Sequence, residues 1–266
     1  MGCYKSIKKV LSKNKIKLIK SLDLKKNRLV TGLFIAEGKK LVLDLLRSGI
    51  IASEVYCTNG LAAEIVQYLP EFKIHLADKE ELARISFLKS APEIIAVLQI
   101  PHQEINWMEI KSELTLVLDA IQDPGNLGTI VRLADWFGIQ NIVCSEECAD
   151  LYNPKTIQST MGAFARVKVH YVSLPQFLSQ AIELNLPVYG TFLEGENLFT
   201  GELSANGLIV MGNEGNGISE LNLPYISRKL TIPAYPPGAT TSESLNVALA
   251  TSVICSEFRR RVICKG

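Results

Sequence analysis

The sequence predicts two α/β domains in one chain, the second built on a parallel sheet. Three observations predict it. Short apolar strands alternate with amphipathic helices from residue 34 to 98, and the alternation starts afresh at Leu114 and runs to Val262. Between them, Ile100 to Lys111 is a mixed polar stretch holding Pro101 and an isolated Trp107, which reads as a linker. A length of 266 residues suits two domains, placed at 1–105 and 106–266. With 47% hydrophobic and 21% charged residues, the chain is an ordinary globular one able to bury sizeable cores.

In the first domain, Phe34-Ile35-Ala36 reads as a strand and Gly38 to Ser48 as a helix with Leu41, Leu45 and Leu46 on one face. Glu54 to Thr58 is a strand, Ala62 to Leu69 a helix and Phe72 to Leu76 a strand. Asp78 is placed as the N-cap of a helix over Glu80 to Ile85, and Ile94 to Leu98 closes a small α/β sandwich. In the second domain, the continuous apolar run Leu114 to Leu118 reads as a strand, and Thr129 to Phe137 as a helix stopped by Gly138. Ile142 to Cys144 is a strand, Pro154 to Ala163 helical, Val167 to Val172 a strand and Leu174 to Leu184 a helix. Strands follow at Val188 to Leu193, Leu208 to Met211 and Lys229 to Ile232. Leu245 to Val262 is a long closing helix, with Arg259, Arg260 and Arg261 at the end that suits its dipole.

Composition excludes several classes. No apolar run reaches the roughly 18 residues of a membrane span, and the lysines from Lys13 to Lys20 interrupt any signal-peptide core. The six cysteines are scattered without a CxxC pair, and only three histidines are present, so buried thiols in a reducing cytoplasm are expected and a metal site is not. The net charge of +1 conceals an asymmetry. Residues 1–30 hold nine lysines and Arg28 against Asp23, a balance of +9, so the rest of the chain carries −8. Val10, Leu11, Ile16, Leu18, Ile19 and Leu22 give this block an apolar component suited to an amphipathic helix. It reads either as a solvated face or as a surface for RNA phosphates.

Three loops follow strands of the second domain, where open α/β sheets gather ligands. Asp123-Pro124-Gly125-Asn126-Leu127-Gly128 is either a plain turn with Asn126 capping the helix, or an anion-favouring helix start with Arg132 one turn on. Gly212-Asn213-Glu214-Gly215-Asn216-Gly217 is either a strand-to-helix turn or a backbone that a ligand approaches closely. In Ser242-Glu243-Ser244-Leu245-Asn246-Val247, Ser242 or Ser244 can cap the last helix, while Asn246 falls in its first turn with its amide toward a ligand site. None of the loops matches GxGxxG.

Taken together, DPGNLGTIVRLADWFGI, IVMGNEGNGIS and IPAYPPGATTSESLNVALA resemble the three motifs of the SpoU family of RNA ribose methyltransferases, in the SPOUT superfamily. STMGAF at 159–164 is similar to its intervening segment. The likeness spans about residues 114 to 262. LFIAEGKKLVLDLL and PEIIAVLQIP resemble, more loosely, the family's ribosomal-protein-like substrate-binding domain. The resemblance implies a C-terminal segment threaded into a deep trefoil knot, a homodimer, S-adenosylmethionine as cofactor and RNA as substrate; the extra N-terminal domain favours ribosomal RNA, with transfer RNA the alternative. By the same resemblance Thr191, Gly212, Ile232 and Leu245 contact the cofactor, and Asn126, Arg132, Glu214, Ser244 and Asn246 face the reaction. Tyr235-Pro236-Pro237-Gly238 lengthens the cofactor loop relative to the family's shorter versions. An RNA-binding protein without catalysis would not need this constellation, and a nicotinamide oxidoreductase would need a different glycine spacing.

Overall fold

The computed structural model of the chain describes residues 11–236 and 244–263. They fall into two compact units, one comprising the chain up to His102 with Tyr152–Ala165, the other Gln103–Leu151 with the residues from Arg166 on. No helix among the described residues is long and apolar enough to cross a membrane.

The first unit opens with α1 (Lys13–Ser21) and α2 (Lys25–Thr31). Ser12 caps α1, accepting from the Lys15 N–H at 3.2 Å. Leu11, Ile19 and Leu22 turn inward to pack with Ile35, Tyr56, Leu82 and Ile85. Leu18 stays exposed, and Val10 with Lys5, Lys8 and Lys9 lies outside the described residues. Several cations of the basic block are occupied within the fold. Arg28 is buried and donates to the carbonyls of Leu22 at 2.6 Å and Asp23 at 2.7 Å. Lys15 pairs with Glu54 at 2.7 Å, and Lys20 donates to the Ser86 carbonyl with its ammonium 4.5 Å from the centre of the Phe87 ring.

There follow β1 (Leu33–Glu37), α3 (Lys39–Arg47), β2 (Ala52–Cys57), α4 (Asn59–Ile65), β3 (Ile74–Leu76), α5 (Lys79–Ile85) and β4 (Ile94–Gln99). The strands form one sheet in the order β1-β4-β2-β3, antiparallel except for the β2–β3 pair. Asp78 caps α5 as expected, within a full capping box completed by Glu81. Two expectations shift. The helix expected over Ala62 to Leu69 starts at Asn59, because Thr58 takes the extended backbone of an N-cap. The strand expected from Phe72 starts at Ile74, because Glu71–Lys73 form a 3-10 turn after Pro70.

In the second unit α6 (Trp107–Ser112) occupies part of the stretch expected to be linker. Asn106 caps it at 3.0 Å from the Met108 N–H, and Trp107 stacks on Phe177 with ring centres 4.9 Å apart. Next come β5 (Leu114–Leu118), α7 (Pro124–Trp136) and β6 (Asn141–Cys144). The short α8 (Pro154–Thr160) groups with the first unit, where Phe34 lies 4.9 Å from the Tyr152 ring and 5.7 Å from the Phe164 ring. The second unit resumes with β7 (Lys168–Tyr171), α9 (Leu174–Glu183), β8 (Val188–Asn197), β9 (Gly207–Met211), β10 (Arg228–Thr231) and α10 (Val247–Ile263).

Its six strands run in the order β10-β8-β9-β5-β6-β7, and every neighbouring pair is parallel. Strands buried on both faces read as unbroken apolar runs, and LTLVL in β5 and GLIVM in β9 are buried throughout. From β5 the chain builds β6 and β7 on one side, then crosses to lay β8 and β9 on the other. The β5–β9 boundary is therefore a switch point, where a crevice opens outside the carboxyl ends of the strands. The arginines at the end of α10 do more than suit its dipole. Arg259 donates to the carbonyls of Phe137 at 2.7 Å and Gly138 at 2.9 Å. Arg260 and Arg261 grip the buried Glu257, and Arg261 also reaches the carbonyls of Leu198 and Gly201.

Candidate active site

Asp123 to Gly128 is less a loop than the beginning of α7. Asp123 is the cap, its Oδ1 accepting from the Asn126 N–H at 2.8 Å, and Pro124 takes the first helical position, where a missing N–H costs nothing. Capping by Asp123 frees the Asn126 side chain, which reaches across the switch point instead of serving its own helix. Asn126 Nδ2 donates to Glu214 Oε1, and Asn126 Oδ1 accepts from Asn246 Nδ2 at 3.1 Å. Both faces of one amide are therefore engaged by residues 88 and 120 positions away.

Glu214 is presented by a tight turn between β9 and the segment that leads to β10. Asn213 and Gly217 exchange both backbone hydrogen bonds at 2.9 Å. The Asn213 Oδ1 accepts from the N–H groups of Gly215 at 2.9 Å and Asn216 at 3.1 Å. No helix follows directly, contrary to the strand-to-helix expectation. Gly212 is needed by the turn itself, since a Cβ there would come within 2.3 Å of the Gly217 carbonyl carbon. The side-chain amide of Asn213 donates to the Ala120 carbonyl at 2.8 Å and so ties the turn to the end of β5.

Asn246 is the cap of α10 and not part of its first turn. Its Oδ1 accepts from the N–H groups of Ala248 at 3.0 Å and Leu249 at 3.3 Å, which leaves Nδ2 for Asn126. Ser242, Glu243, Pro237 and Gly238 lie outside the described residues, and Ser244 and Leu245 are exposed beside Asn246. Thr191 on β8 donates from Oγ1 to the Val210 carbonyl at 3.1 Å. Ile232 is partly exposed directly after β10. Thr191 thus lies in β8, while Gly212 and Ile232 directly follow β9 and β10, the two strands that flank it. Arg132 is exposed on α7, and among the described residues it has no hydrogen-bond or ion-pair partner. The structure joins Asn126, Glu214 and Asn246 directly but does not bring Arg132 into their hydrogen bonding.

Sequence reasoning passed over the support behind these groups. Asp119, Ala120 and Ile121 form the bend between β5 and α7, with Ala120 at φ 55°, a left-handed conformation uncommon outside glycine. The Ala120 N–H is held by Ser145 Oγ at 3.1 Å and the Ile121 N–H by Cys148 Sγ at 3.2 Å. A hydrogen bond with Cys144 holds the Cys148 thiol below its ordinary value, while burial pushes Cys144 well above it. The one signal in the sequence was an acid, Asp119, closing an otherwise apolar strand. Among the described residues, no group of three or more His, Cys, Asp or Glu side chains is placed to hold a metal ion.

Comparison with known proteins identifies the family. Residues 113–256 match the SpoU rRNA methylase family, and residues 13–96 match an MRM3-like substrate-binding domain. The chain belongs to the SpoU rRNA methylase family. It is 30% identical to the 23S rRNA (guanosine(2553)-2′-O)-methyltransferase RlmP of Bacillus subtilis, over 92% of this chain and 96% of that one. A TrmH-family RNA methyltransferase structure from Porphyromonas gingivalis superposes with a TM-score of 0.86 at 36% identity, covering 94% of this chain and 99% of that one. An rRNA methyltransferase from Sinorhizobium meliloti, solved with S-adenosylmethionine bound, gives 0.84 at 27% identity over 96% and 98%.

Proposed function

We propose that this chain transfers a methyl group from S-adenosylmethionine to a ribose 2′-hydroxyl of ribosomal RNA. The observation that carries the reading is the Glu214–Asn126–Asn246 chain of hydrogen bonds, which gathers three distant motifs at the switch point of the sheet. The 23S rRNA named as substrate of the Bacillus relative favours ribosomal over transfer RNA.

The residues present fit the cofactor. Gly212, Ile232 and Leu245 offer backbone groups after β9, after β10 and before α10, and the Thr191 side chain fixes the intervening β8 to β9. When bound, the sulfonium supplies an electrophilic methyl group. Asn126, immobilised through both its amide atoms, would orient the target ribose. Glu214 and Asn246 hold that amide in one orientation, and Ser244, exposed two residues before Asn246, would order the nucleotide. Without a hydrogen-bond or ion-pair partner among the described residues, Arg132 presents a planar guanidinium suited to a bidentate grip on an RNA phosphate. Its role in this reading is that of a phosphate clamp.

In solution we infer a homodimer in the cytoplasm, with the C-terminal segment threaded as a deep trefoil knot. Exposed Trp136 on α7 and Leu249 and Ile263 on α10, two helices packed together, support an apolar surface for a second copy. The test is transfer of labelled methyl groups from S-adenosylmethionine to ribosomal and transfer RNA. Wild-type protein should label ribosomal RNA, and Asn126→Ala should lower kcat on the order of 10²-fold with cofactor affinity retained. Absence of transfer to either RNA overturns the reading.

A further inference from the structure

We propose that Asp119 is a positioning residue for the methyl-transfer site, acting through the turn that carries Glu214. It lies directly after β5, where its N–H still donates to the Met211 carbonyl at 2.9 Å, so its backbone continues the β5–β9 ladder. Its side chain is only 4% exposed. Oδ2 accepts two hydrogen bonds, from the Ser219 N–H at 2.8 Å and from Asn222 Nδ2 at 2.8 Å. Both donors are neutral, and among the described residues no cation pairs with Asp119. Burying a carboxylate without a cation is costly, and an apolar residue would serve mere packing better.

The position explains the cost. The Glu214 turn leaves β9 at Gly212 and ends at Ile218. At its entrance Asn213 Nδ2 is tied to the Ala120 carbonyl at 2.8 Å. At its exit Ser219 and Asn222 are tied to Asp119. Two adjacent residues of one bend therefore pin both ends of the turn, and the bend itself is fixed by Ser145 and Cys148. The same chain, three residues past the bend, enters α7 and presents Asn126. Asp119 thus couples the two strand ends whose side chains meet as Glu214 and Asn126. Among the described residues Asn222 Oδ1 is buried without a hydrogen-bond partner, so this asparagine is oriented by its donor side, on Asp119 and on Ser219 Oγ at 2.9 Å.

The inference rests on the proposed methyl-transfer reading, and a double-mutant cycle separates the two. The variants are Asp119→Ala, Asp119→Asn and Asn222→Ala, each alone and combined with Glu214→Ala, assayed for methyl transfer to ribosomal RNA with S-adenosylmethionine. Asp119→Asn keeps an acceptor where Oδ2 stands, so it should retain activity within about 3-fold of wild type. Asp119→Ala should lower kcat on the order of 10²-fold with the KM for RNA little changed, as misplacement of a positioned group does. In the Glu214→Ala background the same change should cost little further, because the residue it positions is already gone. If Asp119→Ala does not fold, Asn222→Ala reports the same tie, since removing its unpartnered oxygen relieves a buried group; it should lower kcat less, and again only when Glu214 is present. Equal losses in both backgrounds, or no rescue by Asn, overturn the positioning role while leaving the methyltransferase reading intact. An inactive wild-type protein removes that reading, and with it this inference.

Discussion

Arg132 stands in solvent about 9 Å along the axis of α7 from Asn126, six residues on at 1.5 Å rise each. Its fork of donors and its positive charge suit a phosphate, and lysine reproduces only the charge. Arg132→Lys should therefore lose most of its activity at every pH, and Arg132→Ala more, in single-turnover methyl transfer across a pH series. A lysine variant that approaches the wild-type rate in alkali would instead mark this position as a proton acceptor. At this scale the motif residues were legible in the sequence, but their partners were not. Spacing within DPGNLG does not tell whether Asp123 or Asn126 caps the helix, because both are good caps and only φ and ψ separate them. The distinction matters, since the asparagine relieved of capping is the one that reaches Glu214 and Asn246.

The helix ends carry the energetics of the elements. Replacing Asp123 with Ala should cost about 1 kcal/mol of stability, the usual worth of an N-cap, and should also lower activity by loosening Asn126; denaturant unfolding and methyl transfer measured on one preparation check both. On α10, hydrogen bonds from Arg260 and Arg261 lower the Glu257 carboxyl to about 2, against the opposing effect of burial. A carboxyl depressed in the fold contributes stability above its unfolded value near 4.5, and loses that contribution as pH falls toward 2. Glu257→Gln should therefore unfold at a lower temperature than wild type at pH 7, with the gap closing between pH 4.5 and about 2. Element types were legible where an apolar run or a full amphipathic face marked them, as in β5, β9 and α3. They were obscured where a helix was short and polar. α6 reads as linker because only Ile110 among its residues is fully buried, and its anchor is the stack of Trp107 on Phe177, two residues far apart in the chain that no local pattern connects.

Across the molecule, the order of strands follows from the chain's crossing back past β5, and strand order is invisible to local periodicity. What the sequence did carry was the position of the three motifs after strands, which was enough to place the site at the carboxyl ends. The basic start of the chain is now divisible. Arg28, Lys15 and Lys20 are used within the fold, whereas Lys13 and Lys17 on α1 and Lys26 on α2 are exposed. Changing these last three to Ala should flatten the dependence of RNA affinity on salt by about 0.7 to 0.9 in log–log slope for each phosphate left unneutralised, with cofactor affinity unchanged; an unaltered slope would assign them to a solvated face. Trp136 is 85% exposed, and Trp136→Arg should shift sedimentation toward the monomer if this face receives a second copy.

Alkaline hydrolysis of the labelled product reads directly which atom of the RNA receives the methyl group. Alkali cleaves RNA by attack of the 2′-oxygen on the adjacent phosphate, so a methylated ribose leaves its own linkage intact. After incubation of the protein with ribosomal RNA and methyl-labelled S-adenosylmethionine, the label should be recovered in alkali-resistant dinucleotides, and Asn126→Ala should abolish most of that signal. Label released instead in single nucleotides methylated on the base would contradict transfer to the ribose 2′-hydroxyl.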